Sequence, residues 1–449
     1  MNKNDLTSGK ISKTVMLFAL PYLLSSFLQV LYGMVDLFVV GLYDTPATTT
    51  AVSVGSQVTH MLTVIIVGFA MGTTVKIGRE VGQKDDAAVG KTIGNTIVLF
   101  GVLAFVLTVA LLLMTRGIVN VMKTPSEAAE ETFDYLLICF LGVPFIVAYN
   151  VISSVFRGLG DTRHPLYFVA VACVVNVVLD FVFVGVLDLG AAGAALATVC
   201  GQAASVVLAL AFIRRILPDI KLSRSDLKPD KAVMGKLLQV GAPVAMQDGF
   251  IQIAFIIITV IANSRGLVAA AAVGVVEKII GFLFLVPSAL LSSVSAITAQ
   301  NMGADKPERA VGALRWGLAI TMGWGLLCGI YCQFAPGSLV GLFVKEAEVV
   351  SAGCDYLRSY SWDVFFAAIH FCFSGYFCGC QKAQYSFIHN VASILVARIP
   401  GAYLASVWFP ENLMPMGVAA PLGSAVSAVI CIGFYWHMNF VQKSIGKSA

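Results

Sequence analysis

Charged side chains are scarce in this sequence. Asp, Glu, Lys and Arg make up only 12% of the 449 residues, whereas hydrophobic residues make up 58%, and an ordinary soluble chain carries about twice that charged fraction. The scarcity excludes a soluble globular protein. Long apolar runs separated by short polar breaks are present instead, and about 20 apolar residues cross a bilayer as a helix. No long stretch alternates with period two, as a membrane barrel requires, so we predict an all-α membrane protein.

Several chemical signatures are also missing. No His-Glu-x-x-His metal motif and no clustered nucleophile occurs, so we expect no enzyme and no catalytic residue. The glycine-rich loop at 158–165 lacks the strand and the lysine of a phosphate-binding loop, so no nucleotide site is expected. The ten cysteines lie in or beside apolar runs, which indicates packing residues rather than a disulfide framework. We therefore expect no cofactor, no nucleotide and no nucleic-acid partner.

The apolar runs predict twelve transmembrane helices. We place them at 14–43, 48–75, 89–114, 133–156, 165–187, 190–213, 236–262, 268–298, 311–335, 352–377, 386–408 and 414–439. Most of the 29 Lys and Arg residues fall in the segments that face one side if the N-terminus is inside. Because basic residues resist translocation, this bias predicts a multi-pass protein of the inner (cytoplasmic) membrane with both termini cytoplasmic.

The longest basic segment divides the chain into halves. It predicts an N-terminal lobe at 1–213 with helices 1–6, a cytoplasmic linker at 214–235, and a C-terminal lobe at 236–449 with helices 7–12. The basic residues of the linker have a plain topogenic role, and binding of anionic lipids is the open alternative.

The two halves resemble each other at a shift of 221 residues. Gly82 corresponds to Gly303, and the Asp-Tyr-Leu run at 134–136 corresponds to the same run at 355–357. Six helices per lobe is an even number, so both copies enter the membrane from the same side. The predicted lobes are then related by a pseudo-two-fold axis along the membrane normal. Two such lobes enclose a central cleft that rocking opens to each side in turn, which is the geometry of a carrier; a gated channel would need a more polar lining.

Three segments carry a family resemblance. Residues 21–29 read PYLLSSFLQ, residues 32–41 read YGMVDLFVVG, and the loop at 156–165 reads FRGLGDTRHP. With Asn176 and Asp180 they resemble the multidrug and toxic compound extrusion (MATE) family, in the prokaryotic branch related to the DNA-damage-inducible members. The resemblance covers essentially the whole chain. It implies export of amphipathic, often cationic, compounds in exchange for Na⁺ or H⁺.

Two carboxylates in apolar spans are the sharpest candidates for chemistry. An ionisable group at the centre of a membrane helix costs about 2.5–3.5 kcal/mol, so Asp36 and Asp180 require a partner or a purpose. Counted inward from the outer ends of their helices, Asp36, Asp180 and Thr198 all lie about 12 Å deep. Asn176 precedes Asp180 by four residues and shares its face of the helix. The four side chains predict a small cage of oxygen atoms.

Such a cage suits either Na⁺ or a proton. Hard cations prefer oxygen ligands, and two nearby carboxylates in a dry site favour holding one proton between them. An interhelical hydrogen-bond network without an ion is the third alternative. The resemblance implies the cation role, since these four residues fall where the prokaryotic branch carries its cation site. The second lobe lacks the set, because the repeat places Ile258 opposite Asp36 and Gly401 opposite Asp180.

Other polar and aromatic residues are candidates for a substrate cleft. Asp248 and Asp363 could attract a cationic substrate, and a structural ion pair, for example with Arg398, is the alternative for each. Glu277 is expected to bind Arg265 near the outer rim. The remaining candidates for the cleft lining are Gln29, Tyr149 and Phe156.

The function predicted is secondary active multidrug efflux by alternating access, with small amphipathic drugs and the lipid bilayer as partners and a monomeric state. A flippase for lipid-linked saccharides is the alternative within transport. A flippase would need several basic residues around its cleft for a diphosphate, and the spans hold only Lys278, Arg358 and Arg398.

Overall fold

A computed structural model describes residues 5–216 and 223–445 of the chain. All regular structure in this part is helical. The helices up to the middle of the chain are α1 (Ile11–Tyr43), α2 (Pro46–Gln83), α3 (Asp86–Val121), α4 (Ser126–Leu141), α5 (Val143–Gly158), α6 (Arg163–Asp180), α7 (Gly190–Ile216) and α8 (Lys231–Asn263). Those that follow are α9 (Leu267–Leu283), α10 (Leu285–Gly303), α11 (Pro307–Phe334), α12 (Pro336–Val340), α13 (Ala347–Tyr360), α14 (Asp363–Gly379), α15 (Ala383–Ser393), α16 (Ile399–Trp408) and α17 (Met414–Ile445). Two π-helical segments, Phe181–Val186 and Ile394–Arg398, continue α6 and α15.

Each of the twelve segments predicted to span the membrane is helical. Ten helices of the described part are long and apolar enough to cross a bilayer, and the pair α4 and α5, bent by 48°, would make an eleventh. The segment predicted at 352–377 is divided between α13 and α14, and α14 is a shorter apolar helix. The all-helical, membrane-spanning character is confirmed, and the count of twelve stays a prediction.

The two breaks inside predicted spans occupy matching places in the repeat. The first span breaks at Gly142, with Pro144 in the first turn of α5, where the missing N–H of proline removes no helical hydrogen bond. A shift of 221 residues places Gly142 on Asp363, the first residue of α14. The repeat seen in the sequence therefore extends to an irregularity of the backbone.

Two compact units divide the chain. The first holds Leu17–Ala245, and the second holds Met246–Ala449 together with Thr7–Met16. The core of the first unit includes Tyr135 and Leu136, and the core of the second includes their repeat partners Tyr356 and Leu357. All four are at most 2% exposed. Burial of the same pair in each core explains why the Asp-Tyr-Leu run occurs in both halves.

The predicted linker at 214–235 lies partly outside the described residues, which omit 217–222. Its following part is anchored on α3. The Asn95 side chain accepts a hydrogen bond from Asp230 N at 2.7 Å and donates to Asp226 O at 3.3 Å. Lys91 Nζ lies 2.5 Å from an Asp230 carboxylate oxygen. The Lys91 hydrogen bond, with those from Val233 N and Ala232 N, lowers the pKa of Asp230 to about 2.

Candidate cation site

The four residues of the predicted oxygen cage come from three helices of the first unit. Asp36 lies on α1, Asn176 and Asp180 on α6, and Thr198 on α7. Asp36, Asn176 and Asp180 are 2%, 1% and 0% exposed, and Thr198 is half-buried. The structure brings all four side chains together in the interior of the unit.

Hydrogen bonds connect only part of this cluster. Thr198 Oγ1 donates to Asp36 Oδ2 at 2.9 Å, and Asn176 Nδ2 donates to Thr198 Oγ1 at 3.5 Å. The Asp36 and Asp180 carboxyl groups interact directly. Four buried oxygen atoms have no hydrogen-bond donor among the described residues, namely Asp36 Oδ1, Asn176 Oδ1 and both carboxylate oxygens of Asp180.

No Lys, Arg or His of the described part forms an ion pair with either carboxylate. Buried charges are normally paired or bound to a metal, and each buried oxygen without a donor costs free energy. The cluster is therefore rich in acceptors and short of positive charge. Within the same residues, no group of three or more His, Cys, Asp and Glu side chains could hold a metal ion. The donor set of two carboxylates, an amide and a hydroxyl fits an alkali cation or a proton.

Two local features of the backbone position these side chains. Gly201 lies where α7 meets α6, and a Cβ atom there would be 2.8 Å from Ala172 O and 3.1 Å from Asn176 Cβ. Glycine therefore permits the close approach that places Thr198 beside Asn176. Asp180 is the last residue of α6, and the π-helical segment Phe181–Val186 begins directly after it. Such segments are frequent at functional sites because they redirect side chains.

Three further side chains contact this centre and were missed in the sequence. The Gln202 side chain donates to the Tyr32 hydroxyl at 3.0 Å, and Tyr32 interacts electrostatically with Asp36. Tyr135, which is 2% exposed, interacts with Asp36 and Asp180. Tyr32 precedes Asp36 by four residues and Gln202 follows Thr198 by four, so the helical spacing that links Asn176 to Asp180 could have found both.

Asp363 in the second unit has an internal partner. Its carboxylate lies 3.6 Å from Arg398 Nη2 and accepts a hydrogen bond from Ser424. Arg398 also donates to the Tyr360 hydroxyl at 2.6 Å. Because Asp363 is 0% exposed, the structure shows the ion pair rather than a carboxylate open to a cleft.

The other predicted cleft residues separate into two groups. Gln29 Nε2 donates to the Tyr149 hydroxyl at 3.5 Å, so these two side chains meet. Asp248 is half-buried and has no ion-pair or hydrogen-bond partner among the described residues. Phe156 is 0% exposed and packs against Phe168 and His164, which makes it a core residue.

The expected pair of Glu277 with Arg265 is replaced by other contacts. Arg265 donates to the carbonyl oxygens of Phe409, Pro410 and Asn412. Glu277 lies 3.5 Å from the Thr259 hydroxyl and interacts with Arg398. The backbone carbonyls at the end of α16 satisfy the guanidinium, so no carboxylate is needed there.

A family model for MatE proteins matches residues 21–182 and again residues 243–404. The chain belongs to the MatE family. The two matches are equal in length and displaced by 222 residues, which supports the internal repeat. MatE proteins are multi-pass membrane transporters, and this one is a member of the multidrug and toxic compound extrusion family.

Known proteins of similar sequence agree with this assignment. The chain is 26% identical to the probable multidrug resistance protein YpnP of Bacillus subtilis over 97% of both chains. It is 23% identical to the probable multidrug resistance protein NorM of Thermotoga maritima, over 90% of this chain and 88% of the relative. A solved structure of MATE in complex with MaL6 shares the fold, with a TM-score of 0.91, 20% identity and 99% of each chain covered.

Proposed function

We propose that this MatE protein is a secondary active antiporter that exports amphipathic, mainly cationic, compounds in exchange for Na⁺ or H⁺. The observation that carries the proposal is the acceptor-rich centre formed by Asp36, Asn176, Asp180 and Thr198. Two adjacent buried carboxylates without a basic partner cannot both stay ionised unless a cation joins them. Binding and release of that cation supply the energy of transport. The names of the multidrug resistance relatives support drugs as the cargo.

The site suits a coupling ion because its partners are incomplete rather than absent. Thr198 satisfies one Asp36 oxygen, which orients the carboxylate, while the other oxygen and both Asp180 oxygens remain acceptors. A proton shared between the carboxylates, or a Na⁺ bound by both with the Asn176 oxygen, satisfies them equally well in chemical terms. We propose that the protein acts in the cytoplasmic membrane as a monomer with both termini inside.

The test measures dye efflux from everted vesicles with a Na⁺ gradient and a pH gradient imposed separately. Asp36→Asn and Asp180→Asn should each abolish gradient-driven efflux and leave expression and dye binding in place. Asp134→Asn is the matched control, because Asp134 is an exposed carboxylate of the same unit. Full gradient-driven efflux by the Asp36→Asn, Asp180→Asn double variant would show that the cluster is only structural.

A further inference from the structure

A second polar feature of the first unit has the opposite electrical character. Tyr149, Ser153 and Arg157 follow one another at intervals of four residues on α5, so they share one face of that helix. They are 4%, 2% and 4% exposed. Ser153 Oγ and Arg157 Nε have no hydrogen-bond partner among the described residues.

Helix α1 covers this face at two points. Gln29 donates to the Tyr149 hydroxyl at 3.5 Å, and the Arg157 guanidinium lies 5.2 Å from the centre of the Tyr22 ring. Tyr22 and Gln29 are about 10 Å apart along α1, which matches the spacing of Arg157 and Tyr149 along an antiparallel α5. We call these five residues, Tyr22, Gln29, Tyr149, Ser153 and Arg157, the α1–α5 strip.

The strip contains donors and a cation but no carboxylate. Arg157 forms no ion pair with any described residue, and no described group accepts a hydrogen bond from its guanidinium. Asp161, the acidic residue nearest in sequence, is occupied by the His164 ring and by the backbone N–H groups of Arg163 and His164. The end of α5 and the Tyr22 ring attract the guanidinium weakly, and neither replaces a counter-ion for a buried charge.

We propose that the α1–α5 strip binds the carboxylate group of an amphipathic substrate. The Arg157 guanidinium supplies the charge, the Ser153 and Tyr149 hydroxyls and the Gln29 amide donate hydrogen bonds, and the Tyr22 ring offers a flat apolar surface. Arginine suits this task because its planar fork of donors matches the geometry of a carboxylate. Tyr22 and Gln29 are only half-buried, so the strip is accessible along α1.

This inference rests on the proposed transport function and extends its substrate class from cationic to zwitterionic amphipaths. The strip and the cation centre share helix α1 but not their residues. Gln29 and Asp36 are seven residues apart, on the same face and about 10 Å from each other along the helix. A substrate carboxylate at Arg157 therefore leaves Asp36 free for the coupling ion.

The test compares two fluorescent probes that differ by one charge. One is a rhodamine dye with a free benzoate, and the other is the methyl ester of the same dye. Binding of each to the purified full-length protein is measured by fluorescence anisotropy without any ion gradient. Arg157→Met should weaken binding of the benzoate dye about tenfold, the effect expected from losing one charge-assisted contact, and change binding of the ester much less.

Three variants make the result specific. Arg163→Met removes an exposed arginine of the neighbouring loop and should leave both affinities unchanged. Arg157→Lys should recover part of the benzoate affinity, because it keeps the charge and loses the fork. Tyr149→Phe removes one donor without touching the charge, so it tests the strip even if Arg157→Met does not fold.

Two results would overturn the proposal: equal loss of both dyes in Arg157→Met and Tyr149→Phe, or failure of the wild-type protein to bind the benzoate dye. Asp36→Asn separates this proposal from the transport mechanism. It should retain the preference for the benzoate dye while gradient-driven efflux is lost. If it does, the strip binds carboxylates independently of ion coupling.

Discussion

The contact between α6 and α7 at Gly201 offers a sharp test of the cation site. In Gly201→Ala the new Cβ atom would lie 2.8 Å from Ala172 O, so the helices must separate by about 0.6 Å to restore an ordinary contact. The Asn176–Thr198 hydrogen bond is already 3.5 Å long and would be lost. The Thr198–Asp36 bond would lengthen from 2.9 Å to the outer limit of a hydrogen bond.

The expected result is a weaker coupling site in a protein that still folds. Overpacking of this kind costs about 1–3 kcal/mol, which should lower the thermal unfolding temperature moderately. The concentration of coupling ion needed for half-maximal efflux should rise, because Thr198 no longer orients the Asp36 carboxylate. Both quantities are measurable on one preparation, by intrinsic fluorescence on heating and by dye efflux from proteoliposomes.

Gly101→Ala is the matched control. Gly101 lies within α3, is exposed, and has no atom within 4 Å of an added Cβ. Alanine should be neutral or slightly stabilising there, because it reduces the freedom of the unfolded chain. The reasoning fails if Gly201→Ala matches Gly101→Ala in both ion dependence and unfolding temperature.

The remaining predictions concern the second unit, the linker and the orientation. Arg398→Met should lower the free energy of unfolding by about 3–5 kcal/mol, because it leaves the Asp363 charge buried without a partner; the double variant with Asp363→Asn should recover much of that loss in chemical denaturation. Asp230→Asn should be less stable than the wild type near neutral pH. The folded-state pKa of Asp230 is lowered to about 2 by the hydrogen bond from Lys91, so its contribution is present above the unfolded-state pKa of about 3.9 and is lost as the pH falls towards 2, where the two unfolding curves should converge. Lys228→Cys in intact cells should resist a membrane-impermeant thiol reagent, and labelling from outside would contradict cytoplasmic termini.

The cation site could be predicted closely because its determinants are local. The spacing of Asn176 and Asp180, and the equal distances of Asp36, Asp180 and Thr198 from their helix ends, depend only on helical geometry. Their assembly was therefore visible in a single sequence. Tyr32 and Gln202 obey the same spacing and were missed because neither carries a charge that draws attention.

Features that depend on packing between distant segments could not be predicted in this way. The pairing of Asp363 with Arg398 was one of two alternatives, since 35 residues separate them and their relative rotation is set by tertiary contacts. The breaks at Gly142 and before Asp363 lie inside continuous apolar runs, where hydropathy has no signal. The anchoring of the linker on Asn95 depends on backbone groups, which the residue types do not reveal.

The two units treat buried charge differently, and this difference argues for where coupling occurs. In the second unit Arg398 neutralises Asp363, so that carboxylate has a permanent counter-charge. In the first unit Asp36 and Asp180 have none among the described residues, and Arg157 has no carboxylate. A permanent ion pair needs no ligand, whereas charges left unpaired by the protein require partners from outside it. The first unit thus provides separate places for a cation and for an anionic group, and helix α1, which carries Asp36 as well as Tyr22 and Gln29, is the element through which occupancy of one can affect the other.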